Sequence, residues 1–189
     1  MKPAEQSPTP SREFPPLLET PRLLLRGHRL EDFEEMAALW ADEAVVRFIQ
    51  GAPQSREAVW ARLLRYVGHW ALMGFGYWVV TRKEDGRFLG EVGFGEYQRD
   101  MTPSLGGRPD AGWMIRPADH GRGFATEAMG RVIAWADAEL PFEETVCIVK
   151  PAHQASLNVA RKLGYRLERE GLYHDAPTLV FARRRAISA

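Results

Sequence analysis

The chain is poor in cysteine: Cys147 is the only one among 189 residues. No internal disulfide can form, so stability has to come from packing. Long apolar runs are missing as well, none approaching the ~20 residues that a membrane span needs. The N-terminus lacks a basic start followed by an apolar core, so no secretory signal is read and a cytoplasmic protein is the simplest setting. Neither sign of charge is in excess. Lys+Arg and Asp+Glu stand at 25 each, which argues against a general nucleic-acid binder, although a local patch is left open. No carboxylate cluster suggests a metal, and no Gly-Lys-Ser/Thr follows the glycine loop as in the Walker nucleotide loop.

What is present fits one globular domain with a proper core, at 45% hydrophobic and 26% charged residues. Prolines at 3, 8, 10, 15 and 16 make residues 1–17 a flexible arm, ahead of a single domain over 18–189. The spacing of apolar residues predicts a strand over Thr20–Arg26 and a helix over Leu30–Ala41. A second helix follows Ser55, a candidate cap, and ends at Gly74 and Gly76. Tyr77–Thr81 and Phe88–Glu96 read as a hairpin turning around Glu84-Asp85-Gly86. Tyr97–Pro109 reads as loop, and Asp110–Ile115 as the next strand. A long helix to Leu140 carries apolar residues at 125, 128, 129, 132, 133, 136 and 140. Thr145–Val149 is a short strand, Ala155–Leu163 a helix stopped by Gly164, and Tyr165–Arg169 and Thr178–Arg183 the last strands. The order is βααβββαβαββ, an α/β fold with a mixed sheet of about seven strands and helices on both faces.

The most informative stretch runs from Trp113 to Leu140. Pro117 closes a strand, and His120, Gly121, Arg122, Gly123, Phe124 and Ala125 lead into the long helix. The first amides of a helix lack internal partners and carry about half an elementary charge, so a strand, a glycine loop and a helix together form an anion-binding arrangement. An ordinary tight connection with two glycines is the plainer reading of the loop alone.

These residues also resemble the Gln/Arg-x-x-Gly-x-Gly/Ala turn of the GNAT superfamily of N-acetyltransferases, with His120 replacing the first residue and Thr126-Glu127-Ala128 following. A second segment, from His153 through Ser156 to Gly164-Tyr165, is similar to that family's Asn-x-x-Ser/Ala…Leu-Gly-Phe. Leu18 to Arg26 resembles the branch related to ribosomal-protein N-terminal acetyltransferases. The resemblance spans about Leu18 to Arg183. It implies the GNAT fold and acetyl-CoA as co-substrate, with no metal. The implied reaction moves acetyl to a primary amine, either a protein N-terminal α-amine or a small molecule, by a monomer or homodimer. The alternatives are a non-catalytic acyl-CoA-binding module and a nucleotide-binding enzyme.

Carried over residue by residue, the amides of Gly121, Arg122, Gly123, Phe124, Ala125 and Thr126 would cradle the pyrophosphate, with His120 on the phosphate side. Trp113, Met114 and Ile115 lie on a strand that in the family splays from the next one. The pantetheine arm pairs with that strand, and an amide there faces the thioester oxygen. His153 replaces the family's Asn and could contact pantetheine; Ser156 could hydrogen-bond the thiol. A base must take the amine proton, and Asp110 and Glu91 are the candidates, Glu91 being equally a solvated strand charge. The family's tyrosine acid is absent, its place taken by Ala160, and Tyr165 reads as core. Cys147 reads as a small buried hydrophobe, so direct transfer follows. Trp40, Trp60 and Trp70, with Arg47, Phe48 and Ile49, fall where this superfamily shapes its acceptor site.

Overall fold

The computed structural model describes residues 15–49 and 51–186. In chain order the elements are β1 (Leu18–Glu19), β2 (Leu23–Arg26), α1 (Phe33–Ala41), α2 (Glu43–Val46), α3 (Arg56–Met73), β3 (Tyr77–Arg82) and β4 (Phe88–Gly95). There follow β5 (Met101–Thr102), β6 (Asp110–Ile115), α4 (Phe124–Glu139), β7 (Glu144–Val149), α5 (Gln154–Lys162), β8 (Arg166–Tyr173) and β9 (Ala176–Arg184). Short 3-10 turns at Leu30–Asp32 and Pro117–Asp119 lead into α1 and the glycine loop.

Among the described residues the strands form one sheet, in the order β1-β2-β3-β4-β6-β7-β9-β8-β5. Every neighbouring pair is antiparallel except β6 and β7. The mixed α/β class follows from the sequence reading, and the two strands beyond the expected seven, β1 and β5, have two residues each. The expected first strand, Thr20–Arg26, begins only at Leu23: the chain turns around Pro21, so that β1, just ahead of it, pairs with β2.

Strand alternation fills two cores. Trp78 and Val80 of β3 face the layer of α4, where Ala128, Met129, Val132 and Ile133 pack. Tyr77 and Val79 point the other way, onto Met36 and Trp40 of α1 and Val59, Leu63 and Tyr66 of α3. Helices therefore cover both faces. Ser55 caps α3 by accepting the Ala58 amide at 3.2 Å, and Gly74 ends it in the left-handed region at φ 71°. Trp70, Trp78 and Trp135 meet edge-on or tilted, with ring centroids 4.6 to 5.6 Å apart. Such pairs add roughly 0.5–1.5 kcal/mol each beyond their buried area.

Of the expected flexible arm, residues 1–14 lie outside the described residues. Its end is fixed: Trp78 Nε1 donates to the Pro16 carbonyl at 2.8 Å, and Leu18 is buried.

Candidate functional site

The site begins where β6 and β7 part. The two strands share one register pair, Asp110 with Val146, and then diverge. The fork opens a cavity of about 680 Å³, lined by β6, by Ile148 to Lys150 beyond the fork, by the glycine loop, and by α1, α3 and α5. It takes in residues from both faces of the sheet, so it passes through the plane of the strands.

At one end lies the start of α4. Gly123 takes φ 80° and Gly121 φ 73°, conformations costly for residues with a Cβ. No side chain caps this helix, so the amides of Phe124, Ala125 and Thr126, which line the cavity, are open to an anion. His120 Nε2 donates to the Ile115 carbonyl at 2.7 Å and ties the loop to β6. The Arg122 side chain turns to Asp119 instead, at 3.2 Å, and lies outside the cavity lining. Arg22 and Arg122 place their guanidinium carbons 4.5 and 5.0 Å from the centre of the Phe124 ring.

Glu127, in the Thr-Glu-Ala that resembled a motif, is a brace. It accepts from Thr20 Oγ1 at 2.6 Å, from the Arg22 amide at 3.1 Å and from Arg22 Nε at 2.7 Å. These bonds fasten the β1–β2 turn to the first turn of α4. They hold the carboxyl below its ordinary pKa, against partial burial.

The start of α5 also faces the cavity, with His153 and Ser156 in the lining. His153 stacks on Phe48, centroids 4.3 Å apart and planes 15° apart, and Arg47 lies over the other ring at 4.5 Å. Burial, with His120 and Arg47 nearby, lowers the His153 pKa, favouring the neutral ring. Trp113, Met114 and Ile115 line the wall between the two helix starts. Gly112 lets the Tyr77 ring lie against β6: a Cβ there would fall 2.0 Å from the Tyr77 hydroxyl.

The other end is aromatic and basic. Trp40, Tyr66, Tyr77, Tyr97 and Tyr173 line it, with Arg62, Arg65 and Arg99. Tyr66 and Tyr77 stack at 4.7 Å. Sequence reasoning found none of these tyrosines, because they come from four separate elements or loops. Of the three tryptophans considered, Trp40 lines the cavity, Trp70 is core and Trp60 packs its edge on Phe33 at the surface.

The two candidate bases part company. Asp110 is buried at 3% exposure and lines the cavity. Arg99 holds one of its oxygens; the other, Oδ1, is buried with no side-chain partner, and the Ile148 backbone also stabilises the carboxylate. Burial raises its pKa against the opposing pull of Arg99. Glu91 lies outside the cavity lining and is fully buried. Its oxygens accept from His28 Nε2 and Trp40 Nε1, each at 2.8 Å, so it is no solvated charge. Cys147 is buried in the main core, outside the lining, and burial pushes its thiol well up. Tyr165 is core, paired with Thr145 Oγ1 at 2.9 Å, and Ala160 is fully buried.

The sequence model of the acetyltransferase (GNAT) domain matches residues 22–166, which hold the fork, the glycine loop and α5. The chain belongs to the GNAT acetyltransferase family. It is thus an acyltransferase of the GNAT type, a family that uses acetyl-CoA. A relative, the uncharacterized N-acetyltransferase p20 of Bacillus licheniformis, is 25% identical over 159 residues, covering 84% of this chain and 85% of its own. The crystal structure of an acetyltransferase from Agrobacterium tumefaciens has a TM-score of 0.78 at 25% identity, covering 89% of this chain and 94% of that one. The spermidine N-acetyltransferase of Vibrio cholerae, solved with CoA and spermine, shares the GNAT fold at a TM-score of 0.67 and 14% identity, covering 86% and 95%. Among the described residues no group of acidic, His or Cys side chains could hold a metal ion, and no helix is long and apolar enough to cross a membrane.

Proposed function

We propose that this GNAT protein transfers acetyl from acetyl-CoA directly to a primary amine. One observation carries the reading: the β6–β7 fork brings the uncapped start of α4 and the buried carboxylate residue Asp110 to the lining of the same cavity. The left-handed glycines and free amides suit a pyrophosphate, so the residues fit the co-substrate. The amides of Gly121 to Thr126 would hold it, with His120 bracing the loop and His153 and Ser156 beside the pantetheine arm. Backbone groups of Trp113, Met114 and Ile115 would align the thioester, an amide donor there being worth ~3 kcal/mol in the transition state.

Asp110 accepts the amine proton in this reading, directly or through water. Its raised pKa brings it nearer the range a base needs. Glu91 positions Trp40 in the acceptor wall. Cys147 takes no covalent part. The reading extends the domain over residues 18–189 and sets it in the cytoplasm, where the chain works as a monomer or homodimer.

A non-catalytic acyl-CoA-binding module is the second reading, favoured by the missing tyrosine at Ala160. Acetyl-CoA-dependent thiol release against an amine panel, with mass spectrometry of the product, separates the two. A mass gain of one acetyl group on an amine is expected. Coenzyme A binding without turnover on any amine would favour the module.

A further inference from the structure

Arg62 is a buried cation without a counter-ion. It is 9% exposed and lines the cavity, its guanidinium carbon 3.6 Å from the centre of the Trp40 ring. Its Nε and Nη2 donate to Gln54 Oε1 at 3.3 and 3.0 Å, and the Tyr66 and Tyr77 phenols are also among its polar neighbours. All three are neutral. Among the described residues no carboxylate pairs with it. The nearby buried carboxylate, Glu91, has its oxygens taken by His28 and Trp40. A guanidinium withdrawn from water and left unpaired is costly, and a bound anion removes that cost.

The surroundings favour the same sign. Arg65, exposed at the rim, sits 5.2 Å from the Tyr97 ring centre, and among the described residues it too has no acidic partner. Arg99 is matched by Asp110. Asp100, also in the lining, is exposed to water. A second positive group on the acceptor, as in a polyamine, would meet Arg62 and Arg65. A carboxylate would meet the positive guanidinium groups of Arg62 and Arg65, framed by flat aromatic faces.

We infer that the acceptor carries a carboxylate close to its amine, held by Arg62 with support from Arg65, while the amine turns to Asp110. This rests on the transferase reading above and names its substrate class. The carboxylate could belong to a free amino acid or to the acidic first residue of a peptide.

Calorimetry on the full chain loaded with coenzyme A tests this without needing turnover. The probes are N-acetylphenylalanine and N-acetylmethionine with their carboxamides, N-acetyl-aspartyl-alanine amide with its asparaginyl counterpart, and N-acetylspermidine. The acids should bind roughly 10- to 100-fold more tightly than the amides, as expected of hydrogen bonds to a charged group. Arg62→Met should bring that ratio close to one, Arg62→Lys should keep part of it, and coenzyme A affinity should hold in both. Tighter binding of the amino-acid acids points to a free amino acid, and of the aspartyl peptide to a peptide. Equal affinity for acid and amide, preference for N-acetylspermidine, or an unchanged ratio in folded Arg62→Met overturns the inference. The comparison is repeated without coenzyme A. Failure of coenzyme A to bind would thus sink the transferase reading, while the acid–amide ratio still decides this one.

Discussion

Arg99 grips Asp110 by a single oxygen: Nε and Nη2 both lie 2.6 Å from Oδ2, and Oδ1 is left buried with no side-chain partner. The arginine itself is steadied by the Tyr173 hydroxyl at 3.0 Å. The residue as a whole lines the cavity, next to Ile148, whose backbone also stabilises the carboxylate.

Asp110→Asn keeps the shape and removes the proton acceptor. Turnover should fall ~10²–10⁴-fold, with coenzyme A affinity unchanged. Part of the rate should return at high pH, where the amine deprotonates in solution. Wild-type kcat across pH in Asp110→Asn would end the base role.

Arg99→Met tests the same carboxylate from the other side. Arg99 lowers the Asp110 pKa while burial raises it. Without the arginine the acid limb of the pH–rate profile should move to higher pH. A limb that stays in place, or moves down, would mean that Asp110 does not set it.

Glu91→Gln leaves a buried amide facing the Trp40 and His28 donors. One hydrogen bond is lost, so stability should drop by about 1–3 kcal/mol in urea unfolding. Turnover should change much less than in Asp110→Asn. The reverse order of effects would move the base to Glu91.

At Gly123 a Cβ would meet open space, its nearest neighbour being Arg22 Nη2 at 3.6 Å. The cost of Gly123→Ala is therefore the left-handed backbone, about 1–2 kcal/mol, plus obstruction of a ligand at the amides. Coenzyme A affinity should fall at least tenfold in protein that still unfolds cooperatively. Full affinity would place the pyrophosphate elsewhere.

The Glu127 brace should show in stability against pH. Its pKa is lowered in the folded state, so its contribution is present above the unfolded carboxyl value and fades as pH falls through the folded one. Glu127→Gln should cost about 1–2 kcal/mol at pH 7 and little at pH 3, read from thermal melts. An equal loss at both pH values would assign the effect to packing.

The strongest local patterns were legible in the sequence. Asp110–Ile115 has the predicted bounds, and Ser55 and Gly74 delimit α3 as capping chemistry requires. What was hidden depends on distant partners or unmarked turns. β5 is two residues long and exists only because β8 lies beside it. β8 and β9 run longer than expected because His174 and Asp175, at φ 48° and 59°, form a two-residue turn without a glycine to mark it. The glycine loop could be placed from its motif, and the resemblance pointed to Trp40, Phe48 and Ile49, which line the cavity; the arginines and tyrosines of its other end could not be placed. Trp40, Arg62, Tyr77, Tyr97 and Tyr173 are far apart in the chain, and nothing in their local sequence says that they meet. Glu91 read as either a candidate base or a solvated strand charge, because its partners, His28 and Trp40, lie far from it in the chain.

The fork between β6 and β7 has a kinetic meaning. Because the cavity crosses the sheet, it has walls from both layers, with the glycine loop and Trp40 and Arg62 all in its lining. For the proposed direct transfer, such a cavity would let two reactants occupy one protein molecule together. Double-reciprocal plots at varied acetyl-CoA would then converge instead of running parallel. The sheet, usually a barrier between two compartments of a fold, would serve as a meeting place.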